Sequence, residues 1–177
     1  MKQLLKANEF GSIVKKFTDK IAEQQKNFSD MALIGIHTRG IPLAQRLAQE
    51  IRVRGHDTLE GMLDINLYRD DLTKPYEMPV LKETKIDFSV NDKVIYLVDD
   101  VLYTGRTIRA AMEAIFDLGR PKAVHLIVMA KRDGRELPID TALFALDVRT
   151  KATDNIKVKF KETDGEDDVT LLSEGEY

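Results

Sequence analysis

The 177-residue chain has no cysteine, which excludes disulfides, thiolate nucleophiles and cysteine-ligated zinc. Its three histidines, His37, His56 and His125, are too scattered to suggest a histidine metal cluster, so any metal must be held by oxygen. No apolar run approaches the roughly 20 residues needed to cross a bilayer. The opening Met1-Lys-Gln-Leu-Leu-Lys soon meets polar residues and offers no signal-peptide core, so the cytoplasm is the expected location and no membrane partner is expected. Positive charge is not in excess either: 27 Lys and Arg against 30 Asp and Glu give a formal net charge of −3. The chain as a whole therefore has no electrostatic drive toward nucleic acid, although a local basic patch is compatible with that balance.

What remains is an ordinary globular composition, 43% hydrophobic and 32% charged. The length suits one domain with a full core and is short for two. Its organising stretch is Val94-Ile-Tyr-Leu-Val-Asp99-Asp100-Val-Leu-Tyr103-Thr104-Gly105-Arg106-Thr107. A β-branched apolar run ends in two adjacent carboxylates, then a Thr/Gly turn, then helical periodicity from Ile108 to Leu118 closed by Gly119 and Pro121. In an open parallel sheet, ligands bind beyond the carboxyl ends of strands, where this stretch places its polar groups. Gly105 permits a tight turn, and amides near Thr104 and Thr107 can converge on an anion at the helix N-terminus. A phosphate alone would be repelled by Asp99 and Asp100, whereas sugar hydroxyls or Mg²⁺ would suit them. The ligand implied is a sugar phosphate with a metal.

Taken in order, Leu4 to Gln25 has the spacing of a packing helix, with Phe10, Ile13, Val14, Phe17 and Ile21 on one face. Met31 to Ile36 predicts a buried strand, followed by His37-Thr38-Arg39-Gly40 and a helix from about Pro42 to Val53, a second strand–loop–helix anion site. His37 alone reads as structural or peripheral. Thr58 to Tyr68 reads as a strand leading into a polar run with Pro75 and Pro79. Ala123 to Ala130 predicts another strand, Leu143 to Leu146 and Ile156 to Phe160 predict shorter ones, and Val169, Leu171 and Leu172 suggest a last strand. Most of the acidic tail from Lys161 reads as solvated. There is no internal repeat.

The run from Val98 to Thr107 resembles the phosphoribosyl-diphosphate (PRPP) signature of type I phosphoribosyltransferases. Together with Gly35-Ile-His-Thr-Arg-Gly40, Asp64-Ile-Asn-Leu-Tyr-Arg-Asp-Asp-Leu72 and Arg135-Glu-Leu-Pro-Ile139, it resembles the PyrR family of pyrimidine-operon attenuators with uracil phosphoribosyltransferase activity. The resemblance runs from about Ala32 to Ile139. It implies an α/β type I phosphoribosyltransferase fold: a mostly parallel central sheet flanked by helices, with a small hood and a flexible loop. One domain would span residues 1–177, the loop lying at about 68–85 and the hood coming from the N- and C-terminal segments. Asp99, Asp100 and Arg39 would be catalytic, the acids holding the ribose and Arg39 the diphosphate. Val101, Leu102, Tyr103, Thr104, Gly105, Arg106 and Thr107 would form the 5′-phosphate loop. Thr38 and Gly40 would complete a diphosphate loop, with a non-proline cis peptide near Thr38–Arg39. Tyr68, Arg69 and Asp70 would enter the closing loop, and Arg132 would lie near the base. Mg²⁺ would be held mainly by PRPP, assisted by Asp99 and Asp100, and the assembly would be a homodimer or a higher homo-oligomer.

The implied reaction is displacement of pyrophosphate from PRPP by uracil, giving UMP. RNA is the other partner the resemblance implies, and here the sequence departs from the family. Asp133-Gly134-Arg135 stands where a Gly-His-Arg turn is usual, and Asp140 and Leu146 stand at basic positions. Since phosphate contacts dominate nucleic-acid affinity, these replacements weaken that role, although Lys131, Arg132, Arg149, Lys151, Lys157 and Lys159 could rebuild a patch if their arrangement allowed it. Two alternatives to a uracil transferase remain: a UMP- or PRPP-sensing RNA-binding regulator of pyrimidine gene transcription with little catalysis, and a purine-base phosphoribosyltransferase.

Overall fold

The computed structural model describes residues 1–68 and 83–175. Arg69 and Asp70, and the rest of the expected closing loop apart from Tyr68 and residues 83–85, lie outside the described residues.

The six apolar residues of Met31–Ile36 form β2, buried along its whole length as a strand covered on both faces must be. Its neighbours are β3 (Leu59–Leu63) on one side and β4 (Val94–Leu102) on the other, both parallel to it. Beyond β4 come β5 (Ala123–Arg132) and β6 (Leu143–Val148), also parallel, giving the order β3-β2-β4-β5-β6. Alternation along these strands divides the core in two. Met31, Leu33, Tyr96, Val98 and Met129 face one layer, and Ala32, Ile34, Ile95, Leu97 and Val128 face the other. The first layer is closed by α1 (Ala7–Gln24) and α2 (Gly40–Val53), and the second by α3 (Arg106–Leu118).

Residues from both termini build a second, antiparallel sheet in the order β1-β8-β7, with β1 at Lys2–Lys6, β7 at Asn155–Lys159 and β8 at Asp168–Leu172. A single helical turn, α4 (Lys161–Asp164), links β7 to β8 and ends at Gly165, which takes the left-handed conformation. Leu5, Val158, Phe160 and Val169 carry the first core layer into this sheet. Arg46 of α2 fixes it further, reaching Glu162 and Asp167 at 2.6 Å each while its guanidinium lies over the Phe10 and Phe160 rings.

Two sequence expectations change. The helix expected from Leu4 begins at Ala7, because Lys2–Lys6 pairs with the tail strand instead. The strand expected from Thr58 to Tyr68 stops at Leu63 and gives way to a 3-10 turn at Asn66–Tyr68. The acidic tail keeps Glu162, Glu166 and Glu174 exposed, as expected, while Glu162, Asp164, Glu166 and Asp167 also bind arginine or lysine side chains.

Candidate active site

The chain leaves β2 toward one edge of the sheet through α2 and leaves β4 toward the other edge through α3. A crevice opens where such connections diverge, at the carboxyl ends of the two strands. A cleft of about 320 Å³ lies there, lined by His37, Thr38 and Arg39 after β2, by Asp99, Asp100 and Val101 of β4, and by Thr107 of α3. Asp64, Ile65 and Asn66, which follow β3, form another wall.

Two glycines let the loops meet. A Cβ on Gly40 would run into the Val98 carbonyl oxygen, and one on Gly35 would lie 2.6 Å from the Ile41 Cα. The start of α2 therefore packs directly on the end of β4, bringing Arg39 beside the acids. A non-proline cis bond joins His37 and Thr38, one bond before the expected position. His37 is structural, one of the two roles expected for it: its ring Nε2 lies 2.8 Å from the Glu83 carbonyl oxygen, tying the cleft wall to the segment that returns beside β3.

Asp99 is buried, and its Oδ1 accepts the Asp100 N–H at 2.9 Å; Asp100 Oδ1 in turn accepts the Val101 N–H at 2.8 Å. Burial, and then the charge of Asp100, push the Asp99 carboxyl well above its ordinary range. Asp100 is also raised by burial, against the pull of the Val101 amide and Arg39. Two buried acids raised in this way suit a cation or sugar hydroxyls.

β4 runs through both acids to Leu102, and Gly105 caps α3 at φ 93°, a left-handed conformation that suits glycine. The loop is braced from behind: the Thr104 carbonyl accepts the Glu136 and Leu137 N–H groups at 3.0 and 3.1 Å, and Arg106 donates to Glu136 at 2.6 Å. The Thr104 hydroxyl accepts the Arg106 N–H at 3.2 Å. Residues 101–108 line a separate concavity of about 270 Å³. Thus Thr38, Arg39, Gly40, Asp99, Asp100 and the Val101–Thr107 loop come together.

Other expected site residues do not join them directly. The Tyr68 hydroxyl donates to Asp117 on α3 at 2.9 Å, away from the cleft lining. Arg132 is buried under the Tyr103 ring, 4.0 Å from its centroid, and donates to the carbonyls of Asp154 and Lys151. It reaches the loop through Tyr103. Of the positions considered for an RNA patch, Lys131 lies 3.5 Å from both Asp140 and Asp147, Lys159 pairs with Glu166, and Arg149 lies 3.5 Å from Asp133.

Sequence reading left Asp64, Asn66 and Asp164 unassigned. The first two stand in the quoted Asp64–Leu72 motif, a usable signal. Asp164 accepts from Arg39 Nη2 at 2.8 Å and Nε at 3.1 Å across 125 positions, which no local pattern reveals.

The sheet order, the paired acids and the braced Val101–Thr107 loop are those of a phosphoribosyltransferase domain. A model of the phosphoribosyl transferase domain matches residues 1–162. Chains called bifunctional protein PyrR are similar throughout: that of Deinococcus deserti is 46% identical over 95% of this chain and 92% of its own length. A Thermus thermophilus counterpart is 47% identical over 96% and 94% of the two chains. The chain belongs to the PyrR family. A solved Trypanosoma cruzi hypoxanthine phosphoribosyltransferase shares the fold, with TM-score 0.73 at 18% identity over 97% of this chain and 90% of that one. A Staphylococcus aureus hypoxanthine phosphoribosyltransferase gives 0.72 at 13% identity, covering 97% and 91%.

Proposed function

We propose that this phosphoribosyltransferase converts uracil and PRPP to UMP and pyrophosphate. The observation that carries the reading is the meeting of three kinds of group at one strand switch: paired acids, a phosphate-type loop and an arginine loop. They match the ribose hydroxyls, the 5′-phosphate and the diphosphate of PRPP. Uracil rests on the PyrR resemblance.

In this reading the Val101–Thr107 amides and hydroxyls hold the 5′-phosphate, remote from the reacting carbon, so that attack by the base becomes positional. Asp99 and Asp100 hold the ribose hydroxyls and, as anions, favour the positive charge that grows on the sugar as the bond to diphosphate breaks. Arg39 and the amides of Thr38 to Gly40 stabilise the departing diphosphate. Among the described residues no three His, Asp or Glu side chains gather as a metal cage. Two adjacent carboxylates fit Mg²⁺ that is ligated mainly by PRPP, with Asp99 and Asp100 completing its shell; bound there, it would supply neutralising charge for the leaving group.

The same reading takes the chain as one domain with the β1-β8-β7 sheet as its hood, located in the cytoplasm and assembled as a homodimer or larger homo-oligomer. No helix among the described residues is long and apolar enough to cross a membrane, which agrees with that location.

Replacing Asp99 and Asp100 together by Asn keeps the hydrogen-bonding shape and removes the charge. UMP formation from PRPP and uracil should fall by at least about 100-fold, an effect typical of lost transition-state electrostatics. Unchanged turnover by the folded variant would remove the site assignment.

A further inference from the structure

Arg39 stands at the boundary of two cavities. One is the cleft already described; the other, of about 710 Å³, lies against the second sheet and is lined by Lys157, Lys159, Glu166 and Asp168 as well as by Arg39 and Asp100. Between the two, the Arg39 fork is filled by Asp164, whose two carboxylate oxygens accept from Nη2 at 2.8 Å and Nε at 3.1 Å. This is the two-point geometry by which a guanidinium also takes a phosphate. Asp164 is the last residue of the single turn α4, and its Oδ2 accepts the Phe160 N–H at 3.0 Å as well. The carboxylate thus ties the diphosphate loop to the turn between β7 and β8, with side-chain exposures of 34% for Arg39 and 15% for Asp164.

We propose that Asp164 is a positioning residue that holds the place of the diphosphate on Arg39, and that an incoming diphosphate displaces it and so uncouples the turn Phe160–Gly165 from the Arg39 loop, leaving the turn tied to α2 through Arg46. The idea rests on the assignment of the Arg39 loop to diphosphate. A dianionic phosphoryl group carries more charge than a carboxylate and gains the neighbouring amides, so it wins the exchange, while Asp164 sets how much affinity that exchange costs. The Phe160 N–H keeps the Asp164 side chain near its present position after Arg39 leaves, which makes the displacement reversible. Occupancy of the cleft is thereby transmitted to the second sheet through one ion pair.

The test uses inorganic pyrophosphate with Mg²⁺ as the probe, titrated calorimetrically into the full chain and into Asp164→Asn. Asn retains an acceptor for the Phe160 N–H and loses the charge that competes for Arg39. Pyrophosphate should bind the variant about three- to tenfold more tightly, the scale expected for a partly exposed charge-assisted pair. A residue with a merely structural role would leave affinity unchanged or weaken it, and either outcome overturns the proposal. If the wild-type chain binds no pyrophosphate at all, the assignment of the Arg39 loop fails and the proposal falls with it. Should the variant fold poorly, the wild-type chain still decides: pyrophosphate should speed amide hydrogen exchange at residues 160–165, where Asp164 and Gly165 N–H groups bond to Phe160 and Lys161. Protection that is unchanged or increased there would contradict the displacement.

Discussion

In the proposed reaction, Asp99 is the residue at which stability and activity oppose each other. Its carboxyl lies in the core side of the cleft with a second acid next in sequence, and burial raises it well above the ordinary range. A carboxylate raised in this way favours the folded state fully below its unfolded pKa, and that contribution is lost as pH rises through the raised value. At neutral pH, above the unfolded pKa, the raised carboxyl therefore costs stability. Asp99→Asn alone should raise the melting temperature of the ligand-free protein at pH 7 by about 2–4 °C, the shift expected for roughly 1 kcal/mol in a chain of this size. Calorimetry checks this, and a lower melting temperature would show that the charge is stabilised by partners in the free protein. Arg132 carries a different lesson. Expected near the base from the family resemblance, it stands at the end of β5, where its guanidinium lies under Tyr103 and donates to two backbone carbonyls, while its buried Nε finds no partner among the described residues.

Among the elements, the tail turn and α2 depend on one another through Arg46. Its bonds hold Glu162 below the ordinary carboxylate range, and they hold Asp167 there as well despite the opposing effect of burial. Groups lowered on folding stabilise the native state above their unfolded pKa, about 4, and this contribution disappears as pH falls through the lowered values. Arg46→Met should cost about 1–3 kcal/mol at pH 7 in urea denaturation, because two carboxylates are left facing a packed surface without their cation. The variant's loss of stability between about pH 5 and 2 should also be shallower than that of the wild type. Parallel pH curves would mean that Arg46 acts by packing on Phe10 and Phe160 alone.

The same pairing explains what could be read in advance. β2 was legible to the residue because six consecutive apolar side chains fit a strand buried on both faces. The β4–loop–α3 unit was legible because acids, hydroxyls and glycine follow in an order that a packed strand does not require. β1 was not, since Leu4 and Leu5 continue the apolar spacing of α1 and their strand partners lie at the far end of the chain, in Asp168–Leu172. The ion pairs of the acidic tail were not legible for the same reason: Arg39 and Arg46 are remote in sequence and adjacent only after folding.

In the whole molecule, a parallel sheet whose switch point gathers the paired acids, the Arg39 loop and the Val101–Thr107 loop is joined to a second sheet that lines a cavity with Arg39 and Asp100 on its other side. The most direct test of the proposed reaction is turnover of labelled PRPP with Mg²⁺ in parallel reactions containing uracil, hypoxanthine, guanine, xanthine or orotate. Nucleotide and pyrophosphate should form with uracil and remain at background with the other four bases. Turnover with a purine, or no turnover with any of the five, would contradict the account.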